Sequence, residues 1–401
     1  MVRIIFPEHR SLSVPSLMIQ FGLMDARETT DSIKSKAYEI GFNLVGVSPA
    51  GRFPENQFYK EWLSRGYAGD MKYMERDPDR RGDLRNIIPG AQSVITCGLN
   101  YNTGFPYSTE AEDNGNGWIA RYAWGDDYHS VMDEKLGALE DFVSGVLPTG
   151  ALTVRYTDTG PVLERVYGKY GGIGWTGKNT CIINQRIGSW IFLGEIITDV
   201  ELEYDSPAPD RCGSCTRCIE ACPTGAIKEP YVLDSRLCIS YLTIELKDGI
   251  PIELRDKIGN NIFGCDICQD VCPWNRRAEK TAEPRFQPRD GLFSPGLHTF
   301  SGLGPEEFAA RFKGSPVKRT KRKGLLRNVL TTMGNSGDKS LIPIIEEYLT
   351  DTEPLVRAHA VWALWKLKGN ESRDALLNRL NCENDTIVLE EIGAILEGIP
   401  S

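Results

Sequence analysis

The 401-residue sequence has no unbroken apolar run of about eighteen residues, so a membrane-spanning helix is not expected. Its first stretch, Met1 to Arg27, has neither a twin-arginine pair nor an apolar core followed by a small-residue cleavage site. Export is therefore not expected, and a cytoplasmic chain is. Excess positive charge is missing as well. The 46 Lys and Arg stand against 55 Asp and Glu, a net of −9, which argues against a surface that coats nucleic acid generally. With 41% hydrophobic and 25% charged residues the chain reads as ordinary globular protein, long enough for two or three domains.

Cysteine, by contrast, is plentiful. Of the 11 cysteines, eight fall between Cys212 and Cys272 at the spacings of metal ligands. In a chain without an export signal these are thiolates for metal rather than disulfides. The first set, Cys212-Gly-Ser-Cys215-Thr-Arg-Cys218-Ile-Glu-Ala-Cys222-Pro223, matches the C-x2-C-x2-C-x3-C-P run of bacterial ferredoxins. Three thiolates of such a loop hold one 4Fe–4S cubane, and the fourth points to the other. A second set, Cys265-Asp-Ile-Cys268-Gln-Asp-Val-Cys272-Pro273, repeats the ending, and Cys238, displaced upstream, supplies its missing first ligand. One cluster then takes Cys212, Cys215, Cys218 and Cys272, and the other takes Cys222, Cys238, Cys265 and Cys268. Zinc is the alternative, but it favours C-x2-C pairs separated by a longer loop. The other three cysteines, Cys97, Cys181 and Cys382, read as small buried thiols.

Three regions separate by texture. A helical start at Asp31–Ile40, a strand-like run at Ser93–Leu99, a helical stretch at Tyr128–Val146 and a strand at Ser189–Ile197 suggest an α/β layer architecture over residues 31–204, after an N-terminal extension at 1–30. The acidic, proline-bearing Glu201–Asp210 reads as a linker into a ferredoxin-like α+β domain at 205–290. After an irregular Glu283–Pro305, residues 291–401 form a helical region with short helices at Leu325–Met333, Leu341–Leu349, Val356–Leu367 and Ser372–Leu380. Val356–Leu367 looks like the second helix of a HEAT repeat, which buries its faces only by stacking, although a plain helical cap would read similarly.

Clusters need an acceptor, and two motifs upstream fall short of supplying one. Gly172-Ile-Gly-Trp-Thr-Gly177-Lys178-Asn179 nearly matches a phosphate-binding loop, but Asn179 replaces the Ser/Thr that would ligate magnesium. Asp127-Tyr-His129-Ser-Val-Met132 nearly matches an Asp-x-His-x-x-Gly cobalamin signature, with Met132 where glycine belongs.

Taken together, Arg121-Tyr-Ala-Trp-Gly-Asp-Asp127-Tyr-His129, Thr157-Asp158-Thr-Gly160, Gly171-Gly-Ile-Gly-Trp-Thr-Gly-Lys178-Asn179, Cys238-Ile-Ser-Tyr-Leu-Thr243, Ile258-Gly-Asn260, Gly264-Cys-Asp-Ile-Cys-Gln269 and the double cluster motif resemble epoxyqueuosine reductases from about residue 30 to the helical tail. The resemblance implies a cobalamin-dependent enzyme, related to reductive dehalogenases, that reduces epoxyqueuosine to queuosine at the wobble position of tRNA. It also implies an external low-potential electron donor. Asp158 matches the family's proton-donor position, with Asp127 and His129 as second choices that could equally cap the helix beginning near Ser130. Carried over as cofactor contacts are Arg81, Ala120, Asp158, Lys178, Asn179, Ser240 and Gln269. Ala120 stands where other members can carry cysteine, so no axial thiolate is available there. An acid of this kind must stay protonated near neutral pH, which burial would favour.

Finally, Lys318, Arg319, Lys321, Arg322, Lys323 and Arg327 place six basic residues in ten positions of an acidic chain. Such runs are commonly solvated faces, but with tRNA as the implied substrate they are expected to contact phosphates. A splayed anticodon loop would present the nucleoside. A monomer is expected. A corrinoid dehalogenase and a pure electron-transfer protein are the alternatives. The first would need neither the basic run nor the helical tail, and the second would need no cofactor pocket.

Overall fold

Helix α1, Ala26–Ile40, begins before the expected Asp31 because Asp25 and Glu28 close a capping box. The Asp25 carboxylate accepts the Glu28 N–H while the Glu28 carboxylate accepts that of Asp25. The computed structural model describes residues 25–111 and 115–398, so most of the expected extension at 1–30 lies outside the described residues.

Four strands, β1 (Leu44–Pro49), β2 (Ser93–Asn100), β3 (Thr153–Tyr156) and β4 (Ile191–Thr198), form one sheet in the order β1-β2-β4-β3. Every neighbouring pair is antiparallel. The expected α/β layering is present, but this four-stranded sheet has no parallel pair; among the described residues parallel pairing joins Trp118–Ile119 to Asn261–Phe263. The excursions between strands are long enough to return the chain to either end of the sheet, so strand direction is not forced by a βαβ crossover. Along β2, Ile95, Cys97 and Leu99 face the layer of α1 and α2 (Tyr128–Val146), where Ile33, Ala37, Met132, Leu136 and Val143 are buried. Val94 faces the opposite layer with Leu84, Val162 and Tyr167. That second layer includes α3 (Glu164–Tyr170), whose C-terminal end meets β1 backbone to backbone. A Cβ added to Gly46 would lie 1.8 Å from the Gly171 carbonyl oxygen, so glycine is required for this approach.

Residues 201–212 carry no regular structure, as expected of a linker. The cysteine loops then run into one-turn helices, Arg217–Glu220 and Ile267–Asp270, with the helix Ile239–Ile244 between them. In the tail, Lys321–Ser336, Ile342–Tyr348, Pro354–Lys368 and Arg373–Cys382 cover the four expected helices, and a fifth, Thr386–Leu396, follows. Pro354–Lys368 is the hub against which three of the others stack. Its core continues without a break into Trp118, Ile119 and Trp124 of the first region and Ile262 and Phe263 of the second. The tail is therefore welded to both other parts.

Packing of the tail on the second region and within itself removes two residues from the expected RNA-facing set. Arg327 is 1% exposed and donates to the carbonyls of Leu242, Leu246 and Asp248. Arg322 forms an ion pair with Asp351 and donates through Nε to the Leu303 carbonyl. Counting charges along a run does not reveal which helix face each one occupies. Cys382, expected to be buried, is exposed, whereas Cys97 is fully buried. Among the described residues no helix is long and apolar enough to cross a membrane.

Candidate active site

Among the described residues no three Cys, His, Asp or Glu side chains converge to metal-binding distance, but the charges felt at the cysteines follow the expected grouping. Burial first, then the nearby charges of Cys212 and Cys218, push Cys272 up to about 11, and burial with Cys212 and Cys215 raises Cys218. Separately, burial and Cys222 raise Cys238, and burial, Cys238 and Cys222 raise Cys265. Cys268 is raised by its contact with Cys181, by burial, and by Cys265 and Cys238. Cluster ligands bind as thiolates, so thiols kept protonated by burial and by one another's charge are ones that bound iron would ionise.

Several residues carried over as cofactor contacts are instead committed to these loops. The glycine-rich segment is a hairpin, Trp175–Thr176 against Ile182–Ile183, and not a phosphate loop. Its glycines serve close packing: a Cβ on Gly174 would lie 2.2 Å from the Ile183 carbonyl oxygen. From the hairpin's turn, Lys178 Nζ donates to the Gly213 and Cys215 carbonyls at 2.7 and 3.0 Å. Asn179 Nδ2 donates to the Cys268 carbonyl at 3.3 Å, so one turn touches the loops of both clusters. Gln269 Nε2 donates to Ser189 Oγ at 3.0 Å and its carbonyl at 3.1 Å, tying the second motif to the residues that lead into β4. Ala120 is 1% exposed, its methyl packed where a Cβ on Gly264 would meet it at 2.6 Å. Ser240 lies half-buried on its helix.

Arg81 reaches the loop that carries Asp158. Arg81 donates to the Gly160 carbonyl at 3.1 Å and to that of Tyr73 at 3.3 Å, and its Nε is buried without an acceptor among the described residues. Asp158 sits in a turn at φ +56°, with half its side chain exposed, and its N–H donates to Glu164 Oε1. Asp127 caps α2 by accepting the His129 N–H at 3.1 Å, and it also bonds the ring: Nδ1 of His129 is 2.7 Å from Asp127 Oδ1. Capping and ring contact are thus made by one carboxylate. The other ring nitrogen, Nε2, is 3.2 Å from Asp158 Oδ2.

The electrostatics follow from this chain of three. Burial works against the charged ring, but the hydrogen bonds of Asp127 and Asp158 outweigh it and hold His129 up to about 9. Burial likewise opposes ionised Asp158, yet His129, Tyr128 and Arg319 hold its carboxyl below the usual value. The expectation of a protonated Asp158 is corrected: here the proton rests on His129, and Asp158 is the carboxylate beside it.

The mouth around Asp158 draws on all three regions. Tyr73 and Tyr128 come from the first, and Glu245 follows the helix at Ile239–Ile244. Arg319 comes from the start of the tail. Its Nε donates to Glu245 at 2.7 Å, its guanidinium lies over the Tyr73 ring at 5.8 Å, and its charge reaches Asp158. Lys318, Lys321 and Lys323 are exposed on the same run. Tyr73 and Glu245 carry no local signature in the sequence, because their contacts with Arg319 bridge 74 or more positions, and Glu164, six positions from Asp158, belongs to no motif.

Comparison with known proteins agrees with this arrangement. Residues 211–275 match a "4Fe-4S double cluster binding domain" model, residues 81–159 the model "Epoxyqueuosine reductase QueG, DUF1730", and residues 319–396 a HEAT-repeat model. The epoxyqueuosine reductase of Xanthomonas campestris is 39% identical over 345 residues, covering 85% of this chain and 96% of that one. That of Escherichia coli is 36% identical over 344 residues, covering 85% and 90%. A crystal structure of epoxyqueuosine reductase with an epoxyqueuosine-modified tRNA-Tyr stem loop superposes with a TM-score of 0.85 at 32% identity, covering 92% of this chain and 97% of that one. The Bacillus subtilis enzyme, seen with its catalytic aspartate loop swung out of the active site, superposes at 0.84 with 30% identity, covering 92% and 98%. With 39% identity to a relative covered almost end to end, the chain belongs to the epoxyqueuosine reductase family.

Proposed function

We propose that this chain reduces epoxyqueuosine in tRNA to queuosine, with Asp158 passing to the departing oxygen the proton that His129 holds. The observation that carries the reading is the Asp127–His129–Asp158 chain, which holds a proton at a mouth rimmed by the exposed lysines of the tail. Opening an epoxide to an alkene consumes two electrons and two protons and releases water. Protonating the departing oxygen contributes roughly a hundred- to ten-thousandfold.

The residues at the mouth fit a corrin. Arg81 offers a buried Nε without an acceptor among the described residues, beside Tyr73 and the loop of half-exposed Asp158, and Ser240 lies on the helix that begins at Cys238. Cobalamin bound there would supply a strongly reducing cobalt, and 4Fe–4S clusters can reach the low potentials needed to feed it. Electrons enter from an external low-potential donor. Lys318, Arg319, Lys321 and Lys323 contact the phosphates of the anticodon arm, and Arg319 also lies beside Asp158.

The test is turnover by chain reconstituted with iron, sulfide and cobalamin under anaerobic conditions, using a stem loop that carries epoxyqueuosine. Loss of one oxygen from the nucleoside by mass spectrometry is expected. Reduction of a halogenated aromatic with no change in the RNA would overturn the proposal.

A further inference from the structure

Behind the Asp158 loop lies a pair of carboxyls that the reaction does not use. Glu195, on β4, is fully buried, and neither of its carboxylate oxygens finds a donor among the described residues. On the sheet it pairs with Thr96 of β2 and Tyr156 of β3. Opposite it stands Glu164 at the first position of α3, the helix packed on β4, and the charge of Glu164 is felt at Glu195. Two carboxylates cannot hydrogen-bond to each other, and an anion at fully buried Glu195 beside another at half-buried Glu164 would be strongly repulsive. Both facts are resolved by one proton between them. Glu164 Oε1 meanwhile accepts the Asp158 N–H, which fastens the residue at φ +56°, a backbone region that a non-glycine side chain disfavours.

We propose that Glu164 and Glu195 share one proton and together position Asp158: Glu195 donates to Glu164, and Glu164 holds the Asp158 N–H. Glu164 and Glu195 are positioning residues, since neither touches the reacting atoms. The inference rests on Asp158 being the proton donor. Burial, helped by the charge of Asp158, lifts Glu164 to about 7, and burial with Glu164 lifts Glu195 well above the carboxylate range. The groups facing the pair are Asp158, Tyr128 and Arg165 on the Glu164 side, and Tyr167 and Cys97 on the Glu195 side. Of these only Arg165 is cationic, so no counter-charge replaces the proton.

The carboxyl pair is tested without turnover by infrared difference spectroscopy of the cluster-loaded protein at pH 7. Wild type minus Glu195→Gln should show the C=O band of a protonated carboxylic acid, and its absence would overturn proton sharing. Positioning is tested by kinetics of the holoenzyme on the modified stem loop. Glu164→Ala should lower kcat on the order of a hundredfold, the scale of a misplacement of about 1 Å, with KM unchanged. Glu164→Gln should recover to within about tenfold of wild type, because its amide oxygen still accepts the Asp158 N–H and its NH2 donates to Glu195. Wild-type kcat in Glu164→Ala would overturn positioning, provided Asp158→Asn is inactive in the same assay. Should Asp158→Asn retain full activity, the reading of Asp158 fails instead, and the infrared result still judges the pair.

Discussion

His129 is clamped between two acids, its Nδ1 2.7 Å from Asp127 and its Nε2 3.2 Å from Asp158. The folded-state value of His129 is held up to about 9, while Asp127 and Asp158 are held down. A raised histidine stabilises the fold fully below its unfolded value and loses that contribution as pH rises through about 9. Depressed carboxyls do the reverse, contributing above their unfolded values and failing as pH falls through their folded ones. Thermal unfolding of wild type and His129→Gln should therefore differ near neutrality and converge above about pH 9. The pair is partly exposed, so a small difference is expected. In turnover, kcat should fall as pH rises through about 9, and His129→Gln should move that alkaline limb to lower pH.

Removing the carboxyl itself separates proton delivery from binding. Asp158→Asn keeps the shape but cannot take up the His129 proton and pass it on, so kcat should fall on the order of a hundred- to ten-thousandfold. Binding of the stem loop should stay close to wild type. A parallel loss of affinity would assign Asp158 to holding substrate instead.

How much of this was legible beforehand depended on how local each determinant is. The eight cluster cysteines announce themselves because their loops are short and their chemistry is unshared by other residue types. Helix α2 was legible from its Asp127 cap and apolar periodicity. Strand direction was not, since an alternation of helix and strand is the same text for a parallel or an antiparallel sheet. The charge state of Asp158 depends on a ring 29 positions away, and the burial of Glu195 depends on glycines that let α3 close onto the sheet. Such facts are properties of the packed chain. The basic run shows the same limit, since it mixes surface lysines with arginines that lock the tail to the clusters' domain.

The crossing of ligands between motifs gives an unusual signature. Cys272 closes the second motif yet packs beside Cys212 of the first. Cys272→Ser should thus cost roughly four of the eight irons and leave the same residual cluster signal as Cys212→Ser. Cys222→Ser should instead resemble Cys265→Ser. Iron analysis with electron paramagnetic resonance of the reduced proteins distinguishes the pairs, and grouping by sequence motif instead of by this crossing would refute the assignment.

Within the basic run, position on the helix separates two kinds of loss. Lys318, Lys321 and Lys323 are exposed, so reversing them to Glu should weaken stem-loop binding and flatten its dependence on salt, with cluster content and unfolding temperature little changed. Arg327 should behave oppositely. Its guanidinium satisfies three carbonyls, those of Leu242, Leu246 and Asp248, at the seam between the tail and the Ile239–Ile244 helix. Arg327→Ala strands these acceptors and opens a cavity, which should cost on the order of 3 kcal/mol of stability. Because that helix begins at the cluster ligand Cys238, the damage should also appear as lost iron before any change in salt dependence. If Arg327→Ala left iron and stability intact but weakened RNA binding, the charge would belong on the surface after all, and the welded seam described here would be wrong.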